Sequence, residues 1–345
     1  MGLNVIAGPC SAESEEQVMR TAAELKSFGI RTFRAGIWKP RTYPGRFEGV
    51  GEAGLPWLVR VQRELGMRVC TEVAGAKHVE ACLRNGISMV WIGARTTANP
   101  FLVQEIAEAL HGTETTVLVK NPVNPDIGLW NGAIERFRRQ GLENIAAVHR
   151  GFSTFDRIKY RNDPYWNVAV RMRGGNPALP FFCDPSHMGG DRAYVKEISQ
   201  RALDMGVDGL MIESHCNPAA ALSDAAQQLE PAELASVLSS LTVRRGDTDD
   251  KDYRRMIGEL RGKIDILDES ILRLLSERME LSREIGRIKK KNNVAIIQTL
   301  RWEEIMDRVT SDPHAGEMDT EFVKRIFNEI HDASVAEQNK ILSKK

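Results

Sequence analysis

PFFCDPSHMGGDRAYVKEISQRALDMGVDGLMIES, residues 180–214, contains two short apolar runs with an amphipathic stretch between them. The runs are Pro180–Ser186 and Gly209–Ser214, and the stretch Asp191–Met205 repeats its apolar residues at helical spacing. Runs this short and this apolar are typical of parallel strands covered on both faces. The segment therefore reads as strand, helix, strand. The same unit recurs upstream, in the runs Val5–Cys10, Thr32–Ile37, Arg68–Val73, Met89–Ala94, Thr116–Asn121 and Ile145–Gly151. Helical patterns such as Glu15–Phe28 and Gly54–Leu65 lie between them. Eight β-then-α units in about 240 residues fit an α/β fold of the (β/α)8, or TIM-barrel, type. An open doubly wound sheet is the other arrangement that such alternation permits. The first run starts almost at Met1, so an upstream segment is expected to cover the N-terminal end of the barrel.

Residues able to do chemistry follow these runs: Cys10, Lys39, Arg41, Glu72, Arg95, Lys120, Arg150, His187 and Glu213. A closed barrel brings all those strand ends to one face, where such enzymes keep their active sites. Cys10, His187, Glu213 and Asp224 offer a thiolate, an imidazole and two carboxylates. That mixed set suits a divalent Mn, Fe, Co or Zn ion better than Mg or Ca. Taken singly, each has a plainer reading: Cys10 as a buried thiol, Asp224 as a surface residue on a helix. Arg34, Lys39, Arg41, Arg95, Lys120 and Arg150 would make the same mouth strongly positive. Arginine forks and lysine point charges in one pocket imply a phosphorylated or multiply anionic substrate. The competing reading is a ring of surface salt bridges.

The balance of 47 basic and 47 acidic residues leaves none of the basic excess expected of a nucleic-acid binder. No apolar run approaches the roughly 20 residues that span a bilayer. The first residues, MGLNVIAGPCSAES, lack a signal-peptide layout. Five scattered cysteines argue for a reducing, cytoplasmic setting.

Composition changes near residue 242. TVRRGDTDDKD, residues 242–252, reads as a linker between a barrel over 1–241 and a helical region over 253–345. From Ile257 the apolar positions fall at 257, 260, 264, 267, 271 and 274, then 281, 285 and 288, the repeat of a helix packed along one seam. A helix over Tyr253–Lys291 would be ~58 Å long. A domain of about 100 residues cannot cover it alone, so a homodimer, and on it a higher oligomer, is expected. Shorter helices are expected near 299–310 and 320–342. Arg278 interrupts the seam, and a buried cation there needs an anion, either a ligand or a neighbouring Glu277 or Glu280. Lys289 returns to within ~20° of the same helix face, whereas Arg261 points ~100° away, toward the pocket of an antiparallel partner.

GPCSAES, RAGIWKPRT, WIGARTT, CDPSHMGG and GLMIESHCNPAAALSD occur in this order over about residues 4–240. They resemble the type I 3-deoxy-D-arabino-heptulosonate-7-phosphate (DAHP) synthases. The related octulosonate-phosphate synthases carry a stretch resembling KANRSS where this chain has KPRT, which favours erythrose 4-phosphate as the aldehyde. The resemblance implies condensation of phosphoenolpyruvate with erythrose 4-phosphate. By it, Cys10, His187, Glu213 and Asp224 would hold the metal. Arg34, Lys39, Arg95, Lys120 and Arg150 would bind phosphoenolpyruvate, and Arg41 and Thr42 the aldehyde's phosphate. Lys39, Cys10 and His187 would take part in catalysis.

ELRGKIDILDESILRLLSERMELSREIGRIK, with SVAEQ further on, resembles the all-helical chorismate mutases over about residues 256–342. That resemblance implies the rearrangement of chorismate to prephenate, with Arg261, Arg278, Lys289, Gln298, Arg301, Ser334 and Gln338 on the ligand. Lys289 and Gln338 would face the breaking ether oxygen. Beside Arg301 these mutases often carry a Glu that contacts the substrate hydroxyl; here the residue is Trp302. The fusion implies a bifunctional enzyme of the shikimate pathway with feedback control by prephenate or chorismate. The alternative is a synthase whose helical domain mainly dimerises and senses ligand. A third reading makes the barrel an octulosonate-phosphate synthase.

Overall fold

The computed structural model describes residues 3–40, 45–155, 159–244, 248–297 and 299–343, the side chains of residues 299 and 300 excepted. The chain divides into two units, Met1–Gly246 and Asp247–Lys345. In the first, eight parallel strands form a closed barrel in chain order. They are β1 (Asn4–Gly8), β2 (Thr32–Arg34), β3 (Arg68–Val73), β4 (Met89–Ile92), β5 (Thr116–Lys120), β6 (Ile145–His149), β7 (Phe181–Cys183) and β8 (Gly209–Glu213). Closure is made by β8 on β1, from Asn4 opposite Gly209 to Gly8 opposite Glu213. The open sheet is therefore excluded. Most apolar runs continue up to three residues past their strands. The extra residues, such as Ala35 and Ile37, are buried in the loops that follow. The stretch read as one helix over Asp191–Met205 is a 3-10 turn at Arg192–Tyr194 followed by a helix over Val195–Asp204.

Side chains alternate along each strand. Val90, Ile92, Val117, Val119, Leu210 and Ile212 face the surrounding helices and join the larger core. Ile6, Cys70, Met89, Trp91, Leu118, Ala146, Val148, Phe182 and Met211 fill the barrel interior. Two residues beyond these interior positions lie Glu72, Lys120, Arg150, Asp184 and Glu213. The alternation that builds the core thus delivers charged groups to the barrel mouth. Two glycines allow close approach there. A Cβ on Gly8 would lie 2.0 Å from the Arg34 carbonyl oxygen, and one on Gly93 would lie 2.3 Å from Glu72 Oε1.

The second unit has a long helix over Lys251–Lys291, a middle helix over Thr299–Thr310 and a last helix over Thr320–Ser343. Asp250 caps the long helix by accepting from the amides of Asp252 and Tyr253, and Lys289, Lys290 and Lys291 lie in its last turn. Both ends complement the helix dipole. The long and last helices meet at small residues: Ser282 and Gly286 are buried on one, Ser334 and Gln338 on the other. A Cβ on Gly286 would lie 3.2 Å from Gln338 Cα, so a side chain there would have to press the two helices slightly apart. The Arg283–Glu337 ion pair, at 3.1 Å, flanks it. Further toward the N-terminus Leu260, Ile264, Leu267, Ile271 and Leu274 are exposed. Among the described residues no helix is long and apolar enough to cross a membrane.

Candidate active sites

At the C-terminal ends of the strands, Arg34, Lys39, Arg95, Lys120, Arg150, His187 and Asp224 line one cavity of about 410 Å³. Arg41 and Thr42 lie outside the described residues. Trp91, the outermost interior residue of β4, also lines the cavity; the Arg34 guanidinium lies 4.8 Å from its ring centroid and Lys120 Nζ 5.7 Å. Its face attracts cations.

The charge network centres on Asp184, which the sequence reading did not assign. Its carboxylate accepts from Lys120 Nζ at 2.7 Å and lies 2.8 Å from His187 Nδ1. Burial works against its charge, but His187, Lys120 and Arg34 hold its pKa well below the usual carboxylate range. Glu213 accepts from Arg34 Nη2 at 3.1 Å and from Gln227 Nε2 at 2.6 Å. Lys39 faces Glu72 at 3.6 Å. Against the cost of burial, Cys10, Glu72 and Glu213 hold Lys39 above the ordinary lysine range. It is therefore an ammonium at neutral pH.

Positive charge is left over. Burial pushes Arg150 down to about 10, and among the described residues Nη1 bonds neutral oxygens, Asn162 Oδ1 at 3.0 Å and the Gly151 carbonyl at 3.3 Å. Arg34 is fully buried, yet among the described residues its Nε and Nη1 have no hydrogen-bond partner. Nη1 is 3.9 Å from Asp184, too far for a hydrogen bond. Buried guanidinium N–H groups without acceptors are costly, and an anionic ligand would satisfy them. Arg46 and Arg161 also line the cavity. They lie on loops, where no periodicity in the sequence marks them.

The four residues read as metal ligands stand as two pairs. Cys10 Sγ donates to Asp224 Oδ2 at 3.2 Å, and His187 Nε2 lies 3.6 Å from Glu213 Oε1. Among the described residues no group of three or more His, Cys, Asp or Glu is set to hold an ion. The physical reason is competition: Arg34 and Gln227 engage Glu213, and Arg161 engages Asp224 at 3.0 Å. The donor chemistry nevertheless fits a metal. Burial pushes His187 below its ordinary value, so it is a neutral imidazole. Asp184 beside Nδ1 leaves Nε2 as the ligating atom, a common second-sphere arrangement. Burial and Glu213 push Cys10 up to about 12, so ligation would release its proton.

In the helical unit a cavity of about 970 Å³ is lined by Arg278, Lys289, Arg301, Ser334 and Gln338, as the sequence reading grouped them. Gln298 lies outside the described residues. Arg261 is exposed on the long helix and is not among the lining residues. Arg278 donates to Ser334 Oγ and to the Ile330 carbonyl at 3.4 Å. Its contacts are across the helix pair rather than with Glu277 or Glu280. Lys289 Nζ donates to the Ile296 carbonyl at 2.5 Å. Among the described residues, Gln338 Oε1 is buried without a partner. Trp302 and His331 also line the cavity and stack at 4.0 Å between centroids. They lie on different helices, so no spacing in the sequence links them.

Comparison with known proteins fits this division. The sequence model of the DAHP synthetase I family matches residues 2–245, and that of chorismate mutase type II matches residues 260–339. A phospho-2-dehydro-3-deoxyheptonate aldolase of Thermotoga maritima is 33% identical over 226 residues, 66% of this chain and 65% of that protein. The match thus spans less than two thirds of that relative's length. A 2-dehydro-3-deoxyphosphooctonate aldolase of Magnetococcus marinus is 30% identical, covering 69% of this chain and 86% of that one. The crystal structure of a Thermotoga maritima DAHP synthase superposes with a TM-score of 0.62 at 32% identity, covering 69% of this chain and 67% of that one.

Proposed function

Because the chain belongs to the DAHP synthetase I family and carries a region matching chorismate mutase type II, we propose that it catalyses two reactions of the shikimate pathway. The barrel condenses phosphoenolpyruvate, erythrose 4-phosphate and water into DAHP and phosphate. The helical unit rearranges chorismate to prephenate. The observation that carries the first reading is Arg34, buried in a cation-rich mouth with guanidinium N–H groups unsatisfied.

In the condensation, the methylene carbon of phosphoenolpyruvate bonds to the aldehyde carbon. Water adds to the phosphate-bearing carbon, and phosphate leaves. Arg34, Lys120 and Arg150 neutralise the carboxylate and phosphate, holding the nucleophile in place without solvent reorganisation. Arg95 shares that anion, and Arg41 and Thr42 receive the aldehyde's phosphate. Lys39, an ammonium at neutral pH, supplies the proton that the new alkoxide takes up. A divalent Mn, Fe, Co or Zn ion held by Cys10, His187, Glu213 and Asp224 would polarise the aldehyde oxygen as a Lewis acid.

The rearrangement needs no nucleophile, acid, base or cofactor. Arg278, with Arg301, Gln298 and Ser334, holds a dianion compactly. Lys289 and Gln338 stabilise charge at the breaking ether oxygen. Arg261 completes the partner's pocket in a homodimer built on the exposed apolar face of the long helix. The family's chemistry and the five free cysteines support a cytoplasmic setting.

Phosphoenolpyruvate is expected to disappear with erythrose 4-phosphate but not with arabinose 5-phosphate; the reverse preference would make the barrel an octulosonate-phosphate synthase. A chelator is expected to abolish this synthase activity and leave loss of chorismate absorbance untouched. The fusion also favours feedback through the helical unit. Prephenate or chorismate is expected to slow the synthase severalfold in the full chain but not in a chain cut near Gly246. Equal sensitivity in both would remove the sensor role, while inhibition without any mutase turnover would make the helical unit a regulatory module only.

A further inference from the structure

We propose that His331, stacked on Trp302, binds the ring hydroxyl of the dianion in the helical pocket and so sets which dianions the pocket accepts. The proposal rests on reading that pocket as a chorismate site. The polar side chains lining the cavity beside His331 and the Trp302 indole are four cations, Ser282, Ser334, Glu304 and Gln338. Arg278, Lys289, Arg301 and Arg308 are cations. Such groups donate hydrogen bonds and cannot accept them. They suit the two carboxylates of chorismate and leave the hydroxyl proton without an acceptor. Ser334 is already engaged, accepting from Arg278 and donating to the Ile330 carbonyl at 2.8 Å. Glu304 is exposed and paired with Arg301 at 2.9 Å. Gln338 Nε2 is what the ether oxygen accepts from, and Gln338, like Ser282, is buried where the long and last helices meet.

His331 remains. A neutral imidazole both donates and accepts, which is what a hydroxyl requires. Among the described residues, no hydrogen bond or ion pair to either ring nitrogen is found. His331 lies three residues before Ser334 and seven before Gln338, so all three share one face of the last helix. Trp302 stacks on the imidazole with planes 31° apart. Stacking engages the face of the ring and leaves the in-plane nitrogen lone pair and N–H for a ligand. The indole thus restricts the imidazole plane while filling the position beside Arg301 with an apolar surface. A site that hydrogen-bonds a substrate hydroxyl discriminates against analogues lacking it.

The test uses the full chain, with chorismate and its analogue lacking the ring hydroxyl. His331→Ala is expected to lower mutase kcat/KM for chorismate roughly tenfold and to leave the analogue unchanged, the size of one lost hydrogen bond. His331→Gln, which keeps a donor and an acceptor, is expected to recover most of the loss. An equal loss on both ligands would mean a packing role only, and no loss on either would mean no role; both overturn the assignment. If the unaltered chain neither binds nor converts chorismate, the mutase reading itself fails and takes this inference with it. Unchanged turnover of the analogue shows that the helical unit of each variant is intact.

Discussion

Asp184→Asn is expected to lower synthase kcat/KM on the order of 10³-fold and to destabilise the barrel. The carboxylate is fully buried between Lys120, His187 and Arg34. Asparagine keeps the shape and removes the charge. Breaking a buried ion pair from one side costs about 3–5 kcal/mol, because the remaining cations stay desolvated. At 1.36 kcal/mol per factor of ten, a cost in that range acting on the substrate-holding cations gives the stated loss. Lys120 is the group most affected. Burial already pushes its pKa below the ordinary lysine value, and Asp184 is the carboxylate that opposes this. The variant is checked by phosphoenolpyruvate consumption and by thermal unfolding. Mutase turnover should not change. A synthase rate within tenfold of the unaltered chain would show that Asp184 is not the organiser of the mouth.

The second large effect is one of complementation. Chains carrying Arg261→Ala and chains carrying Arg278→Ala are each expected to lose mutase activity by at least 100-fold, since each removes a carboxylate-binding cation. Mixed, unfolded and refolded together, they are expected to recover about a quarter of the unaltered activity. In a two-fold symmetric dimer, half the molecules are mixed, and each mixed dimer has one intact pocket. That pocket takes Arg278 from one chain and Arg261 from the other. The exposed Leu260, Ile264, Leu267, Ile271 and Leu274 supply the face on which the copies would meet. Burying a Leu or Ile side chain contributes ~1.5–3 kcal/mol, so five on each copy are ample for association. No recovery on mixing would place Arg261 in its own chain's pocket or outside the site.

Legibility followed the range of the physical signal. The barrel was readable because each strand is short, apolar and separated by a helical pattern. The long helix was read within two residues of its start, Tyr253 against Lys251, because its heptad pattern runs on with few breaks. Strand ends were overread because Ala35 and Ile37 are as apolar as the strands they follow, and burial in a loop looks the same in sequence. Asp184 was missed although the signal was present: it lies two residues beyond Phe182, the next inward position. The four residues read as one metal set stand as two close pairs, and the competing hold of Arg161 on Asp224 has no trace in spacing. Nor has the Trp302–His331 stack, which depends on how two helices meet.

The two-residue alternation of the strands constrains how such a protein can change over evolutionary time. Five of the strands, β3, β5, β6, β7 and β8, carry structural and chemical residues on a single reading frame, with interior packing and mouth charges on the same parity. Deleting one residue inside β5 would turn Lys120 outward and bring Val119 inward, exchanging a cation of the mouth for an isopropyl group while also moving Leu118 out of the interior. Substitutions can therefore accumulate one at a time, but changes of length are confined to the loops and helices between strands. The catalytic face can acquire new loops freely, whereas the phase of its strands, once set, is effectively inherited unchanged.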